Sequence, residues 1–353
     1  MAESKEKLFV VTSSPHLSDT DSIPKIMWTV NIALLPALAM ATYFFGYKAL
    51  WITFLAIVSA VATEGIIQKL TKRPLRIHDG SAVVTGILLA FNLPASVPWW
   101  MPVVGSVFAI GIVKELFGGL GYNILNPALA ARAFLLASWP VDMTASWVKP
   151  RTGTLSGISS SVEAITSATP LNLLKQSAKI LANPGNFEPA QVQAAHDAVT
   201  QLSSSYTNLL IGNVGGCLGE TSVIALLVGA LFMFYRHIID WRIPFTYIGT
   251  VGVLAWIFGG TEGLFTGNWI FHIFSGGLVL GAFYMATDMV TSPITPKGQI
   301  IFAIGCGILT VAIRIWGGYP EGVSYAILLM NLTVPLIDRY TVPRVFGEVK
   351  KDE

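Results

Sequence analysis

The chain has 353 residues, of which 53% are hydrophobic and only 12% charged, with a formal net charge of +2. Soluble domains carry about 25% charged residues, so the composition excludes a water-soluble fold and implies an all-α polytopic membrane protein. Cys217 and Cys306 are the only cysteines. Two cannot hold an iron–sulfur cluster alone, and no CxxC or His-rich metal spacing exists, so no metal is expected and redox chemistry would need an organic cofactor.

The N-terminus, MAESKEKLFV, lacks the apolar core of a cleaved signal peptide. Residues 1–25 are expected to form a cytoplasmic N-terminus, with the first apolar helix doing the targeting. A bilayer crossing needs ~20 apolar residues. Five candidate segments follow, at 26–46, 49–69, 80–93, 99–117 and 127–139. The third and fifth are too short to span straight. One runs into Pro94 and the other starts at Pro127, the pattern of half-helices buried in protein. A polar loop occupies 140–219. Within it KPRTGTLSGISSS (Lys149–Ser161) reads as flexible. Thr169-Pro170 reads as a helix start, with Thr at the N-cap and Pro at the first helical position. PAQVQAAHDAVTQL (Pro189–Leu202) reads as an amphipathic helix. Five further apolar segments lie at 220–238, 243–260, 268–290, 299–316 and 323–338, before a C-terminus at 339–353.

The two halves, 26–139 and 220–338, echo each other. VKELFGGLGYNILNPALAARAFLLA from Val113 and AIRIWGGYPEGVSYAILLMNLTVPLI from Ala312 both run basic residue, Gly-Gly, polar turn, apolar helix. DGSAVVTGILLA from Asp79 likewise faces FSGGLVLGAFYMA from Phe274. An odd number of segments per half turns the second copy upside down, so an inverted five-plus-five repeat of about ten segments is expected. With both termini placed in the cytoplasm, only six of the 22 Lys and Arg fall outside: Lys48, Lys149, Arg151, Lys175, Lys179 and Arg314. Positive charge favours the inner side, so loop 140–219 is expected to be extracytoplasmic.

Several constellations carry possible chemistry. GNVGGCLGETS (Gly212–Ser222) can offer backbone amides to a phosphate or flavin edge, or can simply be a flexible start to a membrane helix with Glu220 near its N-terminus. Arg132 sits mid-helix, where a charge costs roughly 2.5–3.5 kcal/mol on insertion scales. It therefore needs a partner, with Glu64, Glu115 and Asp288 as candidates and a structural ion pair preferred to a cofactor contact. Asn123, Asn126 and Pro127 read as a polar turn capping a half-helix. Asp288, beside Thr287 and Thr291, could bind a cation or relay a proton, though a place at the inner membrane surface is preferred. His237 and His272 have no acidic or cysteine neighbours at ligand spacing and read as packing residues. No Walker loop, dinucleotide fingerprint, catalytic triad or nucleic-acid patch is present.

The stretch Glu163-Ala164-Ile165-Thr166-Ser167-Ala168-Thr169, followed by Pro170-Leu171, resembles the flavin-attachment motif D-x-x-S/T-x-A-T of the NqrB/RnfD family. That family comprises the RnfD membrane component of the Rnf (or Rsx) ion-translocating electron transport complex and its NqrB counterpart in the sodium-translocating NADH:quinone reductase. Thr166, Ala168 and Thr169 match, Glu163 stands where Asp is usual, and Ser167 where the quinone reductase component has Gly. Gly118–Phe134, Gly219–Ser222, Thr287–Val290 and Gly317–Asp338 are similar to further family blocks, with Met289 in the usual proline position of TDPV. The short N-terminus and SATPL favour the Rnf branch. The resemblance implies FMN joined to Thr169 by a phosphodiester, installed by a flavin transferase, with Thr166, Ser167, Glu220, Thr221, Asn123, Asn126 and Arg132 as further candidates for cofactor contact. It also associates a second, non-covalent flavin, riboflavin, with a broken-helix site such as Asn123–Pro127. It implies an electron-relay component, in the inner membrane, of a ferredoxin:NAD oxidoreductase coupled to Na+ or H+ transport. Its partners would be membrane lipid and the iron–sulfur, flavin and membrane subunits of the complex. Two alternatives stay open: the quinone-reducing assembly, and a flavin-free channel or transporter built on the same repeat.

Overall fold

The computed structural model describes residues 21–145, 147–148, 150, 169–204, 206–220, 222–260, 263–319 and 321–342. The flexible reading of Lys149–Ser161 and the motif residues Glu163–Ala168 fall outside them, Pro150 apart. In the first half, α1 (Ile23–Phe45), α2 (Tyr47–Leu70), α3 (Ser81–Phe91), α4 (Trp100–Val107) and α5 (Pro127–Ser138) occupy the five expected segments. The loop region contributes α6 (Pro140–Thr144), α7 (Pro170–Ala182), α8 (Pro189–Ser204) and α9 (Tyr206–Ile211). The second half follows with α10 (Val223–Tyr235), α11 (Arg242–Phe258), α12 (Trp269–Phe274), α13 (Leu278–Leu280), α14 (Pro296–Ile315) and α15 (Val323–Thr341).

Of these, α1, α2 and α14 are long and apolar enough to cross a membrane by length and composition, and α3, α5, α10 and α11 are shorter apolar helices. Large apolar side chains such as Trp51, Phe54, Leu231 and Leu332 are exposed on the outer faces. That is the surface of a membrane protein, where lipid is as apolar as the side chains it meets. At 1.5 Å per residue the 11 residues of α3 and the 12 of α5 reach only about 17–18 Å, well short of a ~30 Å hydrocarbon core. Both are enclosed by protein. Gly86 lets α3 approach α2 so closely that a Cβ there would lie 2.8 Å from the Ile57 Cα.

Two helices change pitch. α4 continues as a π-helix over Phe108–Glu115, and α13 as one over Gly281–Met285. The widened turns show in Leu116 N donating to Gly111 O at 3.2 Å and Ala286 N donating to Gly281 O at 2.7 Å.

The eighth segment, expected as one helix over 268–290, is instead broken. Ser275 is extended (φ −94°, ψ 138°) and Gly276 takes φ 69°, a left-handed conformation suited to glycine. The break frees carbonyls inside the bundle. Arg314, in the last turn of α14, satisfies two of them, donating to His272 O at 2.6 Å and Ser275 O at 3.1 Å. The glycine-rich turn before α10 folds back onto the end of α3. Leu218 N donates to Leu93 O at 3.0 Å, Gly219 N to Phe91 O at 2.9 Å, and Pro94 and Cys217 form a β-bridge. The C-terminal end of loop 140–219 therefore plugs into the bundle.

Candidate functional site

Thr169 is the N-cap of α7. Its backbone is extended (φ −66°, ψ 152°), Pro170 takes the first helical position, and its Oγ1 accepts from Asn172 N at 3.3 Å. This is the start that the local residue pattern dictates. The residue is buried, at 4% exposure, against Leu171, Leu209, Gly215, Gly216, Glu220 and Glu321, around a cavity of only about 10 Å3. That space suits one water. α7 rests on α8, and Leu171 joins Leu209 and Phe271 in a small separate apolar cluster.

Beyond Glu321 lies a much larger cavity of about 420 Å3. Its walls come from α5, α6, the first turn of α7, and the turn leading into α15. Asn172, whose backbone N–H is capped by Thr169, lines it, as do Trp147, Tyr319, Tyr325 and Ser324. Arg132 of α5 stands at its wall.

The partners expected for Arg132 are corrected by the fold. Its Nη2 ion-pairs with Glu321 and its Nη1 lies 3.4 Å from Glu220 Oε1. Nη1 also donates to Asn92 Oδ1 at 2.8 Å and Ser324 Oγ at 3.1 Å, and Nη2 lies 3.7 Å from Cys217 Sγ. Glu64 is instead held by Lys114 at 2.6 Å, and Lys114 also donates to Ser81 Oγ at 2.7 Å. Glu115 faces Arg73 at 3.7 Å and Gln68 at 3.3 Å. Asp288 is half-buried in its own turn, accepting from Thr291 Oγ1 at 3.1 Å. Thus one guanidinium ties together α5, the glycine-rich turn and the α15 approach. Cys217, Glu220 and Glu321 bring ligand atoms within 4.8 Å of one another. All three touch Arg132, so a protein cation already serves this cluster.

Of the remaining sequence candidates, Asn126 caps α5, its Oδ1 accepting from Ala128 N and Leu129 N, while its Nδ2 donates to Met285 O at 3.3 Å. Asn123 donates to Leu125 O at 3.2 Å, and its buried Oδ1 has no partner. Both line a separate cavity of about 90 Å3 shared with Ser81, Lys114, Tyr284 and Asp288. Thr166, Ser167 and Thr221 lie outside the described residues. The structure thus gathers Thr169, Glu220 and Arg132 into one region and leaves Asn123 and Asn126 in another. Sequence reasoning missed Glu321, Ser324 and Asn92, the partners of Arg132. The Gly-Gly-polar-turn pattern before α15 was the one available signal for Glu321.

Comparison with known proteins bears directly on these blocks. The NQR2, RnfD, RnfE family profile matches residues 10–347. The chain belongs to the NQR2, RnfD, RnfE family. It is 51% identical over 340 residues to the D subunit of the Na(+)-translocating ferredoxin:NAD(+) oxidoreductase complex of Acetobacterium woodii, covering 96% of each chain. It is 47% identical over 348 residues to the D subunit of the proton-translocating ferredoxin:NAD(+) oxidoreductase complex of Clostridium ljungdahlii, with 98% of each chain covered. The D subunit of an ion-translocating oxidoreductase complex from Stutzerimonas stutzeri is 43% identical over 329 residues, 92% of each chain. Membership in the NQR2, RnfD, RnfE family therefore spans both halves and the loop that holds Thr169.

Proposed function

We propose that this chain is the RnfD component of an ion-translocating ferredoxin:NAD oxidoreductase complex of the Rnf type, and that it relays electrons through FMN esterified to Thr169. The observation that carries the flavin reading is the pairing of Thr169 at a helix start with the 420 Å3 cavity three residues along the same helix. The residue types fit the group, and the 10 Å3 space at the Thr169 hydroxyl would have to widen to take the phosphate. Helix N-termini favour phosphate, and the first turn of α7 and the Gly215-Gly216 backbone border the hydroxyl. Trp147, Tyr319 and Tyr325 offer stacking surfaces, and Asn172, Ser324 and Arg132 offer donors, in a space matched to a fused ring system. Bound there, the flavin would supply electron transfer in one- or two-electron steps. Arg132 would stand at the cavity wall, held in position by Glu321, Glu220 and Asn92, with its charge offset by the two carboxylates. The tether keeps the cofactor at high effective concentration.

The membrane frame follows the same reading: two five-segment repeats of opposite orientation, termini in the cytoplasm of an inner-membrane protein, and loop 140–219 outside. Matching helix pairings support it. α2 packs on α3 and on α4, as α11 packs on α12 and on α14. The first helices of the halves, α1 and α10, pack on each other, and so do the last, α5 and α15, as a two-fold axis between repeats requires. Iron–sulfur, NAD and further membrane sites would belong to partner subunits. The names of the 51% and 47% identical relatives favour this complex over a quinone-reducing one. The 90 Å3 cavity at Asn123 and Asn126 is the place we assign to a second, non-covalent flavin such as riboflavin, which would have to widen it.

In-gel fluorescence tests the attachment. Wild type co-expressed with a flavin transferase should give a fluorescent band under denaturing conditions, and Thr169→Val a dark one. A dark wild-type band, with the transferase active on a control target, would leave Thr169 as a helix cap and favour the flavin-free transporter.

A further inference from the structure

A further cavity, about 230 Å3, lies between α7, the end of α11, α12 and the last turn of α14. Four basic or potentially basic side chains line it: Lys175 and Lys179 of α7, His272 of α12 and Arg314 of α14. Leu174 and Phe258 supply apolar walls.

Arg314 is the anomaly. It is buried at 4% exposure, and both its terminal nitrogens are used on backbone carbonyls. Its Nε has no partner, and neither has the buried His272 Nε2. Among the described residues no carboxylate lies within ion-pair distance of Arg314; Glu220 and Glu321, which contact Arg132, act on it only from farther off. A buried charge with no carboxylate in contact is costly. The matching basic residue of the first half, Lys114, is treated differently. It too reaches a broken-helix junction, at Ser81, but Glu64 neutralises it at 2.6 Å. In the second half no carboxylate touches the basic side chain, and a cavity opens beside it.

The other cations point the same way. Lys175 Nζ donates to Gly317 O at 2.5 Å and Tyr319 O at 3.0 Å, both neutral, which leaves its charge unmatched. Burial, and then the neighbouring Lys179 ammonium, push the Lys175 amine below its ordinary value, so an anion here would relieve both lysines. Exposed Trp256, Trp269 and Trp316 cluster near this end of α11, α12 and α14, with Trp316 packed edge-on against Phe258 at 5.5 Å. Tryptophan gathers at headgroup depth in membranes.

We propose that this cavity binds the headgroup phosphate of an anionic phospholipid, with Arg314, Lys175 and Lys179 supplying the positive field and Leu174 and Phe258 the apolar wall. The site is more than tenfold larger than the ~10–15 Å3 a single water requires, and its charge and walls match a ligand that is anionic at one end and apolar at the other. The inference does not depend on the flavin reading. Free inorganic phosphate shares the anionic chemistry and is separated from lipid by the test.

The test uses the full-length protein, delipidated in detergent, with native mass spectrometry and thermal melting as readouts. Phosphatidylglycerol, phosphatidylcholine and inorganic phosphate are titrated separately. Phosphatidylglycerol should be retained and raise the melting temperature above the effect of phosphatidylcholine. Lys175→Ala/Lys179→Ala should weaken phosphatidylglycerol binding at least fivefold, the effect of about one basic residue near an anionic lipid surface. Arg314→Gln should weaken it further if that variant folds; the lysine pair keeps the test decisive if it does not. Equal binding of the two lipids, unchanged affinity in the double-lysine variant, or inorganic phosphate acting as strongly as phosphatidylglycerol would each overturn the proposal.

Discussion

Replacing Arg132 with methionine removes the one cation that, among the described residues, forms ion pairs with two buried carboxylates. Glu220 and Glu321 have side-chain exposures of 3% and 14% and would be left facing each other. Breaking a buried pair from one side costs about 3–5 kcal/mol. Unfolding entropy of about 2.1 cal/mol/K per residue, over 353 residues, gives roughly 0.7 kcal/mol/K, so Arg132→Met should lower the melting temperature by about 4–7 °C. The assay is thermal unfolding in detergent, followed by tryptophan fluorescence. Glu220→Gln/Glu321→Gln leaves the guanidinium buried without a counter-charge and should cost a similar amount. The triple variant removes every charge together and should regain most of the loss, because the cost lies in the imbalance. An Arg132→Met protein that melts with wild type would refute the reasoning. So would a triple variant whose loss equals the sum of the other two.

The same logic applies in the first half. Lys114→Met should destabilise by about 3–5 kcal/mol, and adding Glu64→Gln should recover much of it in the same melting assay. Asn126→Ala, which removes the cap of α5 and a bond to Met285 O, should cost about 1 kcal/mol, read as a small downward shift in melting. Ala133→Trp should block part of the 420 Å3 cavity while leaving Thr169 untouched. The flavin band should persist in a denaturing gel, while the steady-state anisotropy of native flavin fluorescence falls as the ring is displaced into solvent. Unchanged anisotropy would mean that the ring sits elsewhere.

What was legible in the sequence was local. The apolar segments each overlap the helices now seen, because burial in lipid demands continuous apolar runs. Thr169-Pro170 and Asn126-Pro127 both start helices as their residue types dictate. The break at Ser275–Gly277 was missed because an apolar run longer than 20 residues reads as one span, and the glycines that permit the break are also common in intact membrane helices. The partners of Arg132 were missed for another reason. Glu220 is 88 residues away and Glu321 189 residues away, and only the docking of the glycine-rich turn on α3 and the meeting of α5 with α15 bring them together. The 420 Å3 cavity was equally hidden, since its walls come from separate parts of the chain.

The flavin reading rests on one bond at one hydroxyl. Peptide mass spectrometry of the protein co-expressed with a flavin transferase tests it most directly. The tryptic peptide from Thr152 to Lys175 contains both Thr166 and Thr169. The account requires that peptide to carry the mass of FMN less one water, with fragment ions locating it on Thr169. An unmodified peptide from a preparation with demonstrated transferase activity, or the added mass on Thr166, would contradict it.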